Sequence, residues 1–170
     1  MLTRAIELEP ANGSVRAQLG FLLAVRGSTE PSIAELEKAA AQDAPEEAYA
    51  RIWIWMQRAE RGPAELELRA WFDGSRIDDI WEQQLVAFLL GEGTDELMQS
   101  RATEETRARV AAGKEPDFLQ CEAEFYAGLR HEVRGERDAA RELYEKARAR
   151  PAAMAWEWHM AGVRARALAH

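Results

Sequence analysis

The sequence predicts an all-α fold. Ala, Glu, Arg and Leu dominate its 170 residues, and apolar residues recur at the three- and four-residue spacing of amphipathic helices. No stretch alternates β-branched and polar residues in the manner of a half-buried strand. Turn signals are frequent, and the segments between them have the length of ordinary helices, about 8 to 17 residues. We therefore expect one domain of about ten short helices joined by tight turns.

The predicted turns contain Gly or Pro, the residues that most often interrupt helices. With these breaks, the first helical segment ends before Pro10 and the last begins after Pro151. The turns lie at Pro10 to Gly13, Gly27 to Pro31, Pro45, Gly62 and Pro63, Asp73 to Ser75, Gly91 to Gly93, Gly113 to Pro116, Gly135 and Pro151.

Two segments of the chain share a spacing of small residues. Gly20 and Gly128 are each followed by a second Gly seven residues later and by an Ala nineteen residues later. A Gly in the middle of one helix lets a partner helix approach closely, and the second Gly ends that helix in a left-handed cap. Bulky side chains and the later Ala are expected to fill the space between the helices: Leu36 and Ala39 in one segment, Tyr144 and Ala147 in the other.

These positions resemble those of the tetratricopeptide repeat, a helix–turn–helix unit of about 34 residues. The better copy runs from Phe125 to Ala147, and a second copy runs from Arg16 to Pro45. The better copy departs from the family pattern at Glu124, where an aromatic residue is usual. The second copy has Ser32 and Leu36 in place of the usual Ala and aromatic residue.

The resemblance implies a right-handed superhelix, or solenoid, of helix hairpins with irregular middle repeats and a C-terminal extra helix. A chain that begins in the middle of a repeat exposes one apolar side, so we expect either a longer natural protein or a partner that covers this end. The predicted parts are residues 1–12 as the tail of a preceding repeat, 13–46 as a repeat, 47–120 as two irregular hairpins, 121–152 as a repeat and 153–170 as the C-terminal helix.

The order of aromatic and apolar features resembles a narrower family, the bacterial lipoprotein NlpI-type repeat proteins. The features are Ile52 to Trp55, Trp71 and Phe72, Trp81, Val86 to Gly91, Thr94 to Met98 and Cys121 to Gly128. The resemblance implies a dimerising adaptor of the bacterial envelope that brings peptidoglycan hydrolases together with a processing protease. It implies a periplasmic or outer-membrane location if the chain is part of a lipoprotein, and the cytoplasm is the default for the sequence as it stands.

The composition argues against several functional classes. With 22 Lys and Arg against 30 Asp and Glu, the formal net charge is −8, which disfavours binding to nucleic acid. No apolar run approaches the length of a membrane span, about 18 residues. One cysteine and three histidines leave little material for a cofactor, a metal or catalysis. His131-Glu132 begins like a metalloprotease motif, but Gly135 stands where the second His is needed, and Cys121 is expected to be a buried packing residue.

The segment Ile52 to Met56 is apolar nearly all round, and it contains Trp53 and Trp55 two residues apart. Two residues at this spacing point about 200° apart on a helix, so they cannot share one face. We expect a central helix that is buried on several sides. The alternative is that one of the two Trp side chains lines a binding groove, because Trp is frequent in protein interfaces.

The register of the tetratricopeptide family implies a concave groove on the first helix of each repeat. Either a partner peptide covers its apolar members, or the chain's own helices fill it. Carried over position by position, the groove residues are Phe21, Ala24, Val25, Phe125, Leu129, Glu132 and Val133.

The C-terminal segment carries apolar residues on two faces, whereas a terminal repeat usually has a polar outer face. This pattern predicts a homodimer contact through this helix or through the N-terminal half-hairpin, and the alternative is a capping helix with some exposed apolar residues. The candidate dimer contacts are Met154, Trp158, Ala161 and Ala165, and the second face holds Trp156, Met160, Val163 and Ala167.

Together these features predict a non-catalytic adaptor that binds a protein or peptide. A structural homo-oligomerisation module is the first alternative. A small-ligand sensor or an enzyme is the second, and a closed pocket with convergent polar groups would favour it.

Overall fold

The structure is a computed structural model, and it describes residues 2–42, 44–59, 64–113 and 118–169. These residues form ten α-helices and no strand, which confirms the all-α prediction. The helices are α1 (Leu2–Leu8), α2 (Gly13–Val25), α3 (Thr29–Ala40), α4 (Glu47–Arg58), α5 (Ala64–Gly74), α6 (Ile80–Leu89), α7 (Asp95–Ala111), α8 (Leu119–Val133), α9 (Arg137–Ala149) and α10 (Trp156–Leu168).

The helices α2, α6 and α7 begin where a polar side chain accepts a hydrogen bond from a free backbone N–H group. Asn12 accepts a hydrogen bond from the Val15 N–H at 3.1 Å before α2, and Asp79 accepts one from the Trp81 N–H at 2.8 Å before α6. Thr94 caps α7 in the same way. Such caps typically contribute about 1 kcal/mol each.

The chain divides into two compact units, Met1–Asp78 and Asp79–His170. The first contains α1 to α5, and the second contains α6 to α10. Residues 47–120, predicted as two irregular hairpins, hold the four helices α4 to α7. The predicted turn at Gly62 and Pro63 lies outside the described residues, as do positions 114–116 of the turn that begins at Gly113.

In the first unit, α2 and α3 form a tightly packed helical hairpin. A Cβ atom added to Gly20 would lie 2.6 Å from Cγ of Leu36, so only glycine fits this crossing without movement. The Ser32 hydroxyl donates a hydrogen bond to the Gly20 carbonyl at 2.8 Å. Gly27, with φ of 77°, ends α2 in the left-handed region. The predicted close approach and cap are confirmed.

The helix α4 is buried on several sides, as its apolar sequence predicts. Ile52, Trp53 and Met56 are fully buried, and Trp55 is nearly so. The ring of Trp53 packs against Phe21 of α2 with centroids 4.9 Å apart. This helix therefore forms the centre of the first unit, against α2, α3 and α5.

In the second unit, α8 and α9 repeat the geometry of the first hairpin. A Cβ atom added to Gly128 would lie 2.8 Å from Cε1 of Tyr144, and Gly135 ends the turn with φ of 79°. Tyr144 and Ala147 are fully buried, which confirms the predicted filling of this crossing. The C-terminal helix α10 packs against α9 and α8.

Within the described part of the chain, none of the helices combines the length and the apolar character needed to cross a membrane.

Candidate interaction surface

The predicted groove residues of the first unit lie mostly inside its core. Phe21 and Ala24 are buried, and Val25 is half-buried at the last position of α2. The contact between Phe21 and Trp53 means that α4 covers the aromatic member of this set. The two possible covers of the predicted groove were a partner peptide and the chain's own helices. In this unit the chain's own helices cover it.

The predicted groove residues of the second unit divide into buried and exposed members. Phe125 and Leu129 are buried, and the ring of Phe125 lies 5.6 Å from that of Tyr144. Val133, in contrast, is 50% exposed at the last position of α8. Of the two alternatives for Phe125 and Leu129, the structure shows internal packing.

Glu132 links three helices of the second unit. Its Oε2 atom accepts a hydrogen bond from the Tyr144 hydroxyl of α9 at 2.6 Å, and it lies 2.9 Å from the Arg164 guanidinium of α10. Burial raises the pKa of Tyr144, so its hydroxyl remains a donor at neutral pH. The spacing of residues in the sequence predicts that Tyr144 packs at the helix crossing, but it does not indicate that Arg164 pairs with Glu132.

The predicted dimer residues differ in how far they are buried by contacts within the chain itself. Ala161 is fully buried and Ala165 is half-buried, whereas Met154 is 83% exposed. The Trp158 indole N–H donates to the carbonyl of Arg148 at 3.0 Å, and the Arg148 guanidinium lies 3.2 Å from the Trp158 ring centre. Trp158 therefore attaches α10 to the end of α9, and Met154 is the largely exposed member of the set.

The α8–α9 tip, which we define as Val133 to Glu136, presents the exposed part of the predicted groove. Glu136 donates its N–H to the His131 carbonyl at 3.0 Å, and Gly135 donates to the Glu132 carbonyl at 2.9 Å. These two bonds have the pattern that commonly closes a helix before a left-handed glycine. The tip is therefore a well-defined turn that holds Val133 and Arg134 toward solvent.

His131 is held between two carboxylates beside this tip. Its Nε2 atom lies 2.6 Å from Oδ2 of Asp95 on α7, and its Nδ1 atom contacts Glu136. Burial lowers the pKa of His131, but the hydrogen bonds and charges of Asp95 and Glu136 outweigh that effect, and the net pKa is raised. Both ring nitrogens can donate only in the imidazolium form.

We predict that His131→Gln removes a stabilisation that is present only at low pH. A raised folded-state pKa means that the contribution is complete below the unfolded value, about 6.5, and is lost as the pH rises through the folded value. The variant should lose about 1–2 kcal/mol of unfolding free energy near pH 6 and less near pH 9. Urea unfolding at both pH values measures this difference. An equal loss of unfolding free energy at both pH values would contradict the stabilisation of the His131 imidazolium by Asp95 and Glu136.

Cys121 is buried, which confirms the predicted packing role. Its Sγ atom contacts the Ala147 carbonyl at 3.5 Å. Burial, followed by the charges of Glu157, Glu122 and Glu124, raises the pKa of the thiol to about 12. The thiol is therefore protonated at neutral pH and is a poor nucleophile.

Among the described residues, no three His, Cys, Asp or Glu side chains converge in an arrangement that could hold a metal ion.

Comparison with known proteins gives no match, either to a protein-family model or to a curated protein.

Proposed function

We propose that this protein is a non-catalytic helical-repeat scaffold of the tetratricopeptide type that binds a protein or peptide partner. The observation that supports the proposal is the recurrence of one hairpin design. Both α2–α3 and α8–α9 have a Gly at the crossing, a left-handed Gly at the turn and a buried bulky residue opposite the first Gly. Repeated helical hairpins typically serve as rigid binding scaffolds.

The surroundings of Cys121 and His131 do not favour a catalytic role for either side chain. The thiol of Cys121 is protonated and buried, and both nitrogens of His131 already face carboxylates. A general base needs a free nitrogen at the substrate, and a nucleophilic cysteine needs a lowered pKa. Neither residue meets its requirement.

The binding surface in this proposal is the α8–α9 tip. Val133 supplies an apolar anchor, and Arg134 supplies an exposed charge beside it. A partner can dock on such a tip without refolding, because the two hydrogen bonds of the turn fix the backbone. The resemblance to NlpI-type proteins extends the proposal to envelope partners, namely peptidoglycan hydrolases and a processing protease.

We predict that Val133→Glu abolishes partner capture while Val110→Glu preserves it. Val110 is a matched control: it is 49% exposed against 50% for Val133, and it also lies in the last turn of its helix, α7. Each bait is immobilised and exposed to extract of the source cell, and the captured proteins are quantified by mass spectrometry. Circular dichroism of both variants verifies that the helix content is unchanged.

A protein that the wild type and Val110→Glu retain and Val133→Glu loses would support the proposal. Equal capture by all three baits would contradict the assignment of the tip. Light scattering of the same samples addresses the alternative of a homo-oligomerisation module, which the 83% exposure of Met154 favours. The alternative function would be favoured if the bait captures only further copies of this chain and has the mass of a dimer, which Met154→Glu converts to a monomer. The homo-oligomerisation module would then replace the scaffold as the proposed function.

A further inference from the structure

His131 lies between two carboxylates that belong to different parts of the second unit. Its Nε2 atom faces Asp95, the first residue of α7, and its Nδ1 atom faces Glu136, the residue directly before α9. A neutral imidazole carries one N–H group, so it can donate a hydrogen bond to only one of the two carboxylates. The other carboxylate then faces a ring nitrogen that can only accept. Loss of the ring proton therefore breaks one of the two contacts.

The neighbouring charges favour retention of the contact with Asp95. The Arg130 guanidinium donates to the Gly93 carbonyl at 3.1 Å, and it interacts electrostatically with Asp95 and with Arg134. Because arginine stays charged wherever histidine titrates, Asp95 keeps a cation nearby when the imidazole is neutral. Within the described part of the chain, the charges that act on the imidazole itself are those of Asp95 and Glu136.

Glu136 is the carboxylate that water can replace the imidazole at more readily. Its side chain is 50% exposed, against 31% for that of Asp95. Among the backbone N–H groups at the start of α9, none donates a capping hydrogen bond to this side chain. After release from the imidazole, the carboxylate can be hydrated while it stays near the positive end of the α9 dipole. Loss of this contact therefore costs less than loss of the contact with Asp95.

We propose that His131 is a pH-sensitive switch that connects the start of α7 to the α8–α9 tip. In the imidazolium form, the ring donates to Asp95 and to Glu136 at the same time. In the neutral form, the proton on Nε2 stays with Asp95, and Glu136 is released to solvent. The tip then gains a solvated negative charge and loses the side-chain contact that joins Glu136 to α8.

The switch operates above the ordinary pKa of histidine, about 6.5. Burial lowers the pKa of His131, but the hydrogen bonds and charges of Asp95 and Glu136 raise it by more. The two-sided contact is therefore complete below the ordinary value and is lost as the pH rises through the raised value. The switch is a property of the free chain and does not depend on the proposed binding of a partner.

NMR of the ring nitrogens in isotope-labelled full-length chain tests the proposal, because their chemical shifts distinguish a protonated from an unprotonated nitrogen. His131→Gln identifies the signals of His131 among those of the three histidines. In the wild type we expect protons on both nitrogens at low pH and on Nε2 alone at high pH. In Asp95→Asn the neutral ring should carry its proton on Nδ1 instead, because Glu136 is the carboxylate that remains beside it.

Glu136→Gln should lower the pKa of His131, because it removes one of the two negative charges at the ring. Asp138→Asn is the matched control, since it removes an exposed carboxylate from the first turn of α9, and it should leave this pKa close to the wild-type value. A proton on Nδ1 in the neutral wild type would overturn the proposal, and so would equal His131 pKa values in Glu136→Gln and Asp138→Asn. If Asp95→Asn fails to fold by circular dichroism, these two measurements decide.

Discussion

Replacing Gly128 by Ala is expected to lower the free energy of unfolding by about 2 kcal/mol. The added methyl group would lie 2.8 and 2.9 Å from two ring carbons of Tyr144 and 3.2 Å from the Ala140 carbonyl oxygen. Real side chains do not tolerate such separations, so α8 and α9 must move apart or the ring must tilt. Either movement loses contacts in a densely packed crossing.

Tyr144 has little freedom to relieve this overlap. Its ring is fully buried, and its hydroxyl is held at 2.6 Å by Glu132, which also pairs with Arg164. A tilt of the ring therefore disturbs the link between three helices as well as the local packing. For this reason we expect the overlap to outweigh the gain in helix propensity from Gly to Ala, which is about 1 kcal/mol.

Gly74→Ala is the control for the backbone effect of this substitution. Gly74 is also helical, but a Cβ atom there meets no atom within 4 Å. Its replacement should leave stability unchanged or raise it by up to about 1 kcal/mol. Urea unfolding followed by circular dichroism measures both variants, and changes of the same sign would contradict the close-approach explanation.

Arg150→Met is expected to lower the free energy of unfolding by about 2–3 kcal/mol. Glu124 is buried, and Arg150 is its ion-pair partner. Removal of one partner of a buried pair leaves an uncompensated charge, at a cost of about 3–5 kcal/mol. The Arg150 side chain is 40% exposed, so water offsets part of that cost.

A double-mutant cycle separates the pair from simple loss of packing. In Arg150→Met with Glu124→Met, the buried charge is absent and two apolar side chains replace the pair. The double variant should therefore be more stable than Arg150→Met alone. The single variant Glu124→Met completes the cycle. If the stability losses of the two single variants add up to that of the double variant, Glu124 and Arg150 contribute independently and the coupling is refuted.

The two hairpins share the positions of their glycines but differ in the exposure of one matched residue. At the corresponding ends of their helices, Val25 is half-buried and Val133 is half exposed. The same hairpin design therefore leaves this valine exposed in the second unit and partly packed in the first.

Features encoded within a single helix or turn were predictable from the sequence. The helical class, the breaks at Gly27 and Gly135 and the demand for small residues at Gly20 and Gly128 all follow from local conformational preference and spacing. The central position of α4 also followed, because a helix that is apolar on every side has few alternatives to burial.

The candidate site depended on tertiary structure. Apolar residues at helical spacing, such as Phe125 and Leu129, can line a groove or fill a core, and only the neighbouring helices determine that they are buried. The links of Glu132 to Arg164 and of His131 to Asp95 join residues far apart in the chain. Such contacts are set by how helices pack, whereas sequence periodicity reports only which residues share a face of one helix.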